Sequence, residues 1–224
     1  MTDRASFLAA IRSTPRGLDP GLPDRRDAPD APTQLRAGED RADRLQAEAE
    51  LASTVVHRVA AGDVAATVAS VLVEAHAQQI ALTTDLAPFV DDVQAALSVA
   101  GLTGAIYAEV SPNRAQAGAL DATVTGCIAA VAASGSIVTS AAGAGRAGAL
   151  IAPTHICVVR EQQILPGLHA LLSGSALADA GSLIALQSGP SRSADIEKTL
   201  ILGVHGPGRV HVVIINDEGT SSLA

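Results

Sequence analysis

The sequence predicts an α/β fold with a mainly parallel sheet flanked by helices. The chain has 224 residues, of which 48% are hydrophobic, so it can bury a substantial core. Nearly continuous apolar runs at 155–159 (HICVV) and 211–215 (HVVII) are typical of strands buried on both faces. Such strands alternate with helical stretches, which implies parallel pairing through right-handed crossovers. With no Trp, one Tyr and two Phe, the core must consist of Ala, Val, Leu and Ile.

The N-terminal segment is predicted to form a helical arm. Residues 2–13 follow an amphipathic helical pattern, with apolar side chains on one face. Residues 15–32 hold five of the 11 prolines together with charged residues, a composition that disfavours packing and is typical of a linker or a surface-crossing arm. We therefore divide the chain into an arm at 1–37 and an α/β domain at 38–224. Whether the arm packs on its own chain or on a partner is left open.

The α/β domain is predicted to begin with two helices. Residues 39–61 carry a helical apolar stripe, Gly62 is a suitable helix end, and Asp63 is a suitable N-cap for the second helix. A further helix is expected from Pro88. The apolar face of the second helix is formed by Val64, Val68, Val71 and Leu72.

Short apolar runs predict the strands. Little room for helices remains within 123–159, so one hairpin or antiparallel segment is expected there. Ligands of open α/β sheets collect at the carboxyl ends of the strands, which is where we expect a site. The predicted strands are 80–84, 105–110, 137–140, 155–159, 182–186 and 211–215.

Charge and composition exclude several classes of partner. The formal net charge of −8 opposes binding to the phosphate backbone of a nucleic acid. Single-stranded nucleic acids also stack on aromatic side chains, of which Tyr107 is almost the only one, so no nucleic-acid partner is expected. The uncharged stretch 122–145 is too rich in Gly, Ser and Thr for a membrane span, and the N-terminus lacks a signal-sequence pattern. We expect a soluble cytoplasmic protein.

Cys127 and Cys157 lie in apolar runs and are interpreted as buried thiols rather than a disulfide or metal site.

Residues 143–148 (GAGRAG) satisfy the dinucleotide-binding pattern G-x-G-x-x-G. The chemistry of that motif needs a helix after the glycines, whose N-terminus holds the pyrophosphate. The following residues include Pro153 and β-branched side chains, which favour another strand. We therefore predict a hairpin tip with Arg146 exposed, rather than a nucleotide site.

The most informative passage is residues 182–215. Gly189 and Pro190 break a strand, and Ser191, Arg192 and Ser193 then precede a helix predicted at 194–202. The free N–H groups and positive dipole of that helix, with two hydroxyls and a guanidinium, predict a pocket for a carboxylate or phosphate. The helix would end at Gly203, and a turn through His205, Gly206 and Pro207 would bring both loops to one sheet edge.

Structural alternatives stand beside this interpretation. Ser191 or Ser193 is also a suitable helix cap, and Asp195 would complement the dipole while competing with an anion. Asp195 and Glu197 diverge on a helix, so they do not form a carboxylate pair for acid–base chemistry. His205 alone favours a structural turn, and His155 is either a core residue or a ligand contact. No catalytic residue and no metal site is assigned. The candidate ligand-binding residues are Gly189, Pro190, Ser191, Arg192, Ser193, Asp195, Glu197, His205 and Gly206, with Ser136 and His155.

The strings GPSRSADIE (189–197) and GVHGP (203–207) resemble the LUD-domain family, and the resemblance covers essentially the whole chain, including 133–140 and 152–159. It implies a fold related to the NagB/RpiA/CoA-transferase-like superfamily. It also implies a role in oxidising L-lactate to pyruvate beside two iron–sulfur partner proteins. Two cysteines are too few for a cluster that needs four thiolates, so we expect no cofactor in this chain and iron–sulfur clusters in its partners.

One position departs from the family pattern. The family usually has an acidic residue and Thr before Gly-Thr or Gly-Ser, whereas this chain has Ala133 and Ser134. The missing carboxylate puts in doubt any catalytic role carried over from that position. Three hypotheses follow: an accessory subunit of a lactate-oxidising complex, a freestanding enzyme acting on a phosphorylated or CoA-linked substrate, and a non-catalytic scaffold. Ligand identity and oligomeric state, including a possible homo-oligomer, are left open.

Overall fold

In the computed structural model of the protein, the described residues are 35–36, 38–107, 117–142, 148–181, 183–194, 200–203 and 206–216. The helix predicted at 2–13 and the arm at 15–32 lie outside these residues, so the division at residue 38 stays a prediction. Among the described residues, no helix has both the length and the apolar character that a membrane crossing requires.

A six-stranded parallel sheet forms the centre of the fold. Its strand order is β1-β12-β7-β4-β2-β3, and every neighbouring pair runs parallel. The prediction of an α/β fold with a mainly parallel sheet is therefore confirmed. The strands are β1 (Val55–Val59), β2 (Ile80–Thr83), β3 (Gly104–Tyr107), β4 (Ala122–Thr125), β7 (Thr154–Arg160) and β12 (Arg209–Ile215).

A second sheet of four strands is built from segments on either side of β7 in the chain. Its order is β8-β5-β6-β9, with β6 antiparallel to both neighbours and β5 parallel to β8. The antiparallel segment expected within 123–159 is thus confirmed as the β5–β6 pair, whereas the strand predicted at 182–186 joins this sheet and not the parallel one. The strands are β5 (Ala129–Val131), β6 (Ser136–Ser140), β8 (Ile164–Leu165) and β9 (Ile184–Gln187).

The helices and the second sheet cover the two faces of the parallel sheet. On one face, α2 and α3 bury a cluster that includes Val68, Leu82 and Ile156; on the other, α1 and the second sheet bury Leu45, Cys157 and Ile214. Alternate residues of β7 and β12 enter opposite clusters, as expected for strands buried on both faces. The helices are α1 (Arg41–Leu51), α2 (Val64–Glu74), α3 (Val90–Val99), α4 (Gly148–Ile151) and α5 (Leu168–Ser173).

The helix predicted at 39–61 was wrong beyond its first half. Helix α1 ends at Leu51, Ser53 has a left-handed φ of 70°, and β1 begins at Val55. The predicted stripe was too long because the buried residues of α1 are followed by the valines of β1, which extended the apolar pattern. These β-branched valines favour a strand once a pairing partner is present. Asp63 does precede α2 as predicted, although its side chain makes no capping hydrogen bond.

The helix predicted at 194–202 was also wrong. Strands β10 (Arg192–Ala194) and β11 (Leu200–Leu202) pair antiparallel, with Arg192 opposite Leu202. The run of Leu and Ile in β11 suits cross-strand pairing as well as it suits a helix, and tertiary pairing decides between them. Residues 195–199, with Asp195 and Glu197, lie outside the described residues.

The hairpin predicted around 143–148 is not formed. Strands β6 and β7 belong to different sheets, and the short helix α4 lies between them where a strand was expected. Pro153 follows α4 and ends it, as a proline after a helix does. Residues 143–147, including Arg146, lie outside the described residues.

Candidate functional site

The two loops singled out in the sequence meet in the structure. The backbone N–H of Ser191 donates to the carbonyl oxygen of Pro207 at 2.8 Å, and the N–H of Gly203 donates to the carbonyl oxygen of Ser191 at 2.9 Å. These backbone bonds hold the 189–192 loop against the turn that precedes β12. His205 lies outside the described residues.

The meeting point lies at the amino edge of the parallel sheet, not at the carboxyl edge where we expected a site. Gly208 and Arg209 donate their backbone N–H groups to the carbonyl oxygen of Pro153, just before β7 begins. Residues 206–208 lead directly into β12 and therefore lie where that strand starts. The sequence predicted that the two loops meet at one sheet edge, and the carboxyl edge was expected only from the general rule for ligands of open sheets.

Two cavities adjoin along this amino edge, and we call them together the edge groove. They have volumes of about 620 Å³ and about 360 Å³ and share Ala75, Gly208 and Arg209 in their walls. The larger is also lined by His76, Asp121, Ile151, Pro153, Thr154, Gly203 and Gly206, and the smaller by Ser53, Val55, Val71, Glu74, Val210 and His211.

Two arginines bring positive charge to the edge groove, and exposed Glu74 brings a negative charge to its smaller cavity. Arg209 is exposed and lies in the walls of both cavities. Arg192 is also exposed, and its Nη2 donates to the hydroxyl of Ser53, a residue that lines the smaller cavity, at 2.8 Å. Asp121 is engaged elsewhere, because its Oδ2 accepts the backbone N–H groups of Gln78 and Gln79, each at 2.8 Å.

The described residues at the two ends of the expected helix, 192–194 and 200–202, are strands, so neither Ser191 nor Ser193 is the N-cap of a helix that spans 194–202. Ser193 lies in β10. Any anion held at this edge is therefore held by arginine side chains and loop N–H groups, without the contribution of a helix dipole that the predicted helix would have supplied.

Ser136 belongs to a cluster of hydroxyls beside the loop. Its Oγ lies 2.8 Å from that of Ser134 and 2.5 Å from that of Ser188. Ser136 is buried at the start of β6, while Ser134 and Ser188 are exposed. Ala133, where the family usually has an acidic residue, is buried, and its N–H donates to the carbonyl oxygen of Pro166.

Two glycines let this end of the second sheet contact helix α1. Gly135 has a φ of 60°, and a Cβ there would lie 2.4 Å from the backbone nitrogen of Ala49. Gly189 has a φ of 108°, and a Cβ there would lie 2.4 Å from the carbonyl oxygen of Ala52. Both positions combine a left-handed backbone with direct backbone contact, so only glycine fits without strain. Gly189 and Pro190 are therefore buried positioning residues of the loop.

His155 is a core residue, which is one of the two alternatives the sequence left open. Its side chain is fully buried, its Nε2 lies 2.9 Å from the hydroxyl of Thr125, and its Nδ1 lies 2.7 Å from Oε1 of Gln187. Burial lowers the pKa of His155 to about 4, so the ring is neutral near pH 7. Because the Gln187 oxygen accepts, Nδ1 carries the hydrogen and Nε2 accepts from Thr125.

Sequence analysis missed Asp85, at the opposite, carboxyl edge of the sheet. Its Oδ1 accepts the backbone N–H of Gly126 at 3.1 Å and the hydroxyl of Thr83, while its buried Oδ2 has no hydrogen-bond partner among the described residues. Burial raises the pKa of Asp85, and these hydrogen bonds oppose the shift. The available signal was an acidic residue two positions after the end of the apolar strand β2.

The two thiols are buried and free, as predicted. The neighbouring Cys127 thiol and burial raise the pKa of Cys157 well above its usual value, so it stays protonated. Across the part of the chain that the structure describes, no three His, Cys, Asp or Glu residues are grouped to hold a metal ion.

The parallel sheet, the appended antiparallel sheet and the edge groove define an α/β protein with a polar cleft at one sheet edge. Residues 41–215 match the LUD domain family, and the chain belongs to that family. The fold is similar to that of a DUF162 family protein from Deinococcus radiodurans, known from its crystal structure. The TM-score is 0.56 and the identity 24%, over 80% of this chain and 99% of that one.

Several curated relatives share part of the sequence. A lactate utilization protein C from Deinococcus radiodurans is 39% identical over 101 residues, which are 42% of this chain and 46% of the relative. Proteins of the same name from Exiguobacterium sp. and Bacillus pumilus are 36% and 37% identical over 80 and 91 residues, covering 34% and 38% of this chain and 35% and 38% of the relatives. Each alignment thus spans less than half of the relative it matches.

Proposed function

We propose that this protein is an accessory subunit in the oxidation of L-lactate to pyruvate and that it binds a small anion in the edge groove. The relatives that share its sequence are named for lactate utilization, which supports the pathway. The observation that carries the anion site is the contact between Ser191 and Pro207, because it joins the two family-specific loops beside two exposed arginines.

Arg209 and Arg192 have separate roles in this proposal. Arg209 lies where the two cavities adjoin, so its guanidinium contacts a carboxylate in either of them. Arg192 is held toward the smaller cavity by Ser53 and adds a second positive charge there, beside Arg209 and the opposing charge of Glu74. Gly203, Gly206 and Gly208 line the larger cavity and let a ligand approach the loop backbone closely.

The redox chemistry is assigned to partners. Oxidation of lactate releases two electrons and two protons, and this chain has only two cysteines, both buried and free, where a cluster needs about four thiolates. The electrons therefore pass to iron–sulfur proteins, and the subunit described here binds and presents the anion.

The test is a pull-down of the tagged full-length protein from native extract, followed by an assay of L-lactate-dependent dye reduction. We expect iron–sulfur proteins and activity to be recovered together. Arg209→Ala and Arg192→Ala should each lower the rate about tenfold, because a charge-assisted hydrogen bond contributes about 1.5 kcal/mol.

Arg58→Ala is the matched control. Arg58 lies toward the other end of β1 and pairs with Asp43, so its loss removes the same charge without touching the groove. If both groove variants keep the rate of the unmodified protein, the anion site is wrong. If the tagged chain is recovered alone and inert, the subunit role is wrong, and phosphorylated and CoA-linked compounds become the substrates to screen.

A further inference from the structure

The outer strand of the second sheet, β9, pairs on one side only. Its neighbour is β6, and no other strand of the described residues pairs with it. The N–H of Ala141 donates to the carbonyl oxygen of Leu183 at 2.9 Å, and hydrogen-bonded pairs alternate along an antiparallel ladder. Ala185 therefore turns its backbone groups toward β6, whereas Ile184 and Leu186 turn theirs to the outer edge. Such a row of donors and acceptors is a template for a further strand.

The face of β9 that points away from the parallel sheet is apolar. Gln187 reaches into the parallel sheet to His155, so Ile184 and Leu186 lie on the opposite face of the strand. Ile184 packs against the cluster that includes Leu171 of α5, whereas Leu186 is 46% exposed. Aliphatic side chains exposed beside an open strand edge are typical of a protein–protein contact.

Helix α5 extends this apolar surface. It packs over β5 and β8, and it leaves Leu168 46% exposed and Leu172 66% exposed. The surrounding sequence is almost uncharged, since Asp179 is the only Asp, Glu, Lys or Arg within 164–187, although 17% of the chain is charged. Depletion of charged residues is the compositional mark of an interface core.

The outer margin of the parallel sheet differs from that of the second sheet. Proteins block open sheet edges with charged side chains or prolines, and β1 carries the exposed Arg58 in its five residues. Strand β9 has the sequence IALQ, which contains no such residue. The edge of β9 is thus the one of the two that suits pairing with another chain.

A second copy of this chain fits the edge of β9. Two-fold symmetry brings a surface against itself, and an uncharged surface can meet itself without repulsion although the whole chain carries a charge of −8. A strand that lies antiparallel to its own copy also obeys two-fold symmetry. With the axis at Ala185, Ile184 lies opposite Leu186 of the second copy, and their outward N–H groups meet carbonyl oxygens across the edge.

We propose that this protein forms a two-fold symmetric dimer in which β9 pairs antiparallel with β9 of a second copy, so that the two four-stranded sheets become one continuous sheet. Stable interfaces bury about 1,200 Å² or more, which is more than two short strands supply. The exposed leucines of α5, Leu168 and Leu172, therefore take part in the contact as well. The dimer does not depend on the function proposed for the edge groove.

The experiment is sedimentation velocity of the full-length protein over a range of concentrations. We expect a species with twice the 22.5 kDa mass of one chain. Leu186→Lys should raise the dissociation constant of the dimer about tenfold or more, because each ammonium group would be buried beside an apolar side chain. Val99→Lys is the matched control, since Val99 is 91% exposed on α3 and gains the same charge. The proposal is wrong if the unmodified protein is a monomer, or if Leu186→Lys and Val99→Lys dimerise equally well.

Ala185→Cys tests the register of the pairing. On the two-fold axis this cysteine faces its own copy in a non-hydrogen-bonded pair, where Cα atoms are about 4.5 Å apart and a disulfide can form. With oxidised glutathione as the oxidant, we expect a disulfide-linked dimer from Ala185→Cys and none from Val99→Cys. The native Cys127 and Cys157 do not compete, because both are buried.

Two further outcomes decide against the proposal. If the protein is a monomer and Leu186→Lys lowers its melting temperature, another segment of the same chain covers β9, and no second copy binds there. If Leu186→Lys does not fold, the cross-link decides, since failure of Ala185→Cys to form the linked dimer overturns the pairing.

Discussion

His155 and Gln187 join the two sheets of the protein through a partly buried hydrogen bond of 2.7 Å between Nδ1 and Oε1. His155 lies in β7, near the centre of the parallel sheet, and Gln187 ends β9, the outer strand of the second sheet. Thr125 lies within hydrogen-bond distance of the other ring nitrogen, so both nitrogens have partners, and burial favours the neutral form of the imidazole by lowering its pKa. The contact therefore couples the packing of the two sheets to the protonation of one residue.

Low pH should destabilise the folded protein through protonation of His155. Burial lowers its pKa from 6.5 to about 4 in the folded state, so the folded protein binds this proton less readily than the unfolded chain. The contribution to stability is complete above pH 6.5 and is lost as the pH falls from 6.5 through about 4. The lost free energy is about 3 kcal/mol. Urea unfolding at a series of pH values should show that the unfolding free energy of His155→Gln declines less with falling pH than that of the unmodified protein. The same pH dependence in both proteins would contradict the prediction.

The pair His57 and His211 should add to the loss of folding stability at low pH. Their rings stack with centroids 5.5 Å apart, and burial lowers the pKa of both. Glu74 opposes the shift at both rings, and Arg209 adds to it at His211. A lowered histidine pKa makes stability fall as the pH drops below 6.5. His211→Phe keeps an aromatic ring and removes one titration, so its unfolding free energy should depend less on pH. Because the pair is not hydrogen-bonded to His155, the two effects should add in the double variant His155→Gln/His211→Phe.

Asp85→Asn should stabilise the protein at neutral pH. The pKa of Asp85 is raised, so the folded state holds this proton more tightly than the unfolded chain does. Its ionisation therefore reduces stability progressively as the pH rises from 3.8 through the folded-state pKa. An amide keeps an oxygen for Thr83 and Gly126 without the charge. We expect Asp85→Asn to have a higher melting temperature than the unmodified protein at pH 7. The difference between the two melting temperatures should shrink as the pH falls. Asp91→Asn, at an exposed position of α3, serves as the control. A lower melting temperature for Asp85→Asn than for that control would contradict the burial argument.

Gly135→Ala should destabilise the contact between the second sheet and α1. The added Cβ would lie 2.4 Å from the backbone nitrogen of Ala49, and the backbone would keep a left-handed φ of 60°. Backbone atoms of a helix cannot move aside cheaply, so we expect a loss of about 2 kcal/mol or more in the unfolding free energy. Gly62→Ala is the control, because a Cβ at Gly62 meets nothing within 4 Å. Equal unfolding free energies for the two variants would show that the close packing is not maintained in solution.

The candidate site was only partly predictable. The loop residues Gly189 to Ser191 were found from their local pattern, and the structure brings them against Pro207. Arg209 was missed because an arginine at the start of a strand has no local signature, and it gains its position only when the amino ends of β7 and β12 come together. Asp85 was missed for the same reason, since its contact with the N–H of Gly126 joins residues that lie 41 positions apart in the chain.

The sequence by itself determined the fold class, the strands β7 and β12, and the family to which the chain belongs. Continuous apolar runs can be buried only inside a sheet covered on both faces, and the family strings lie in order along the chain. Tertiary structure alone decided that Val55–Val59 is a strand, through its pairing with His211–Ile215 in β12, and that Leu200–Leu202 pairs with Arg192–Ala194. It also decided at which sheet edge the loops meet. Local propensity for helix or strand amounts to a few tenths of a kcal/mol per residue, so partners distant in the chain override it when they supply a strand to pair with and a core to enter.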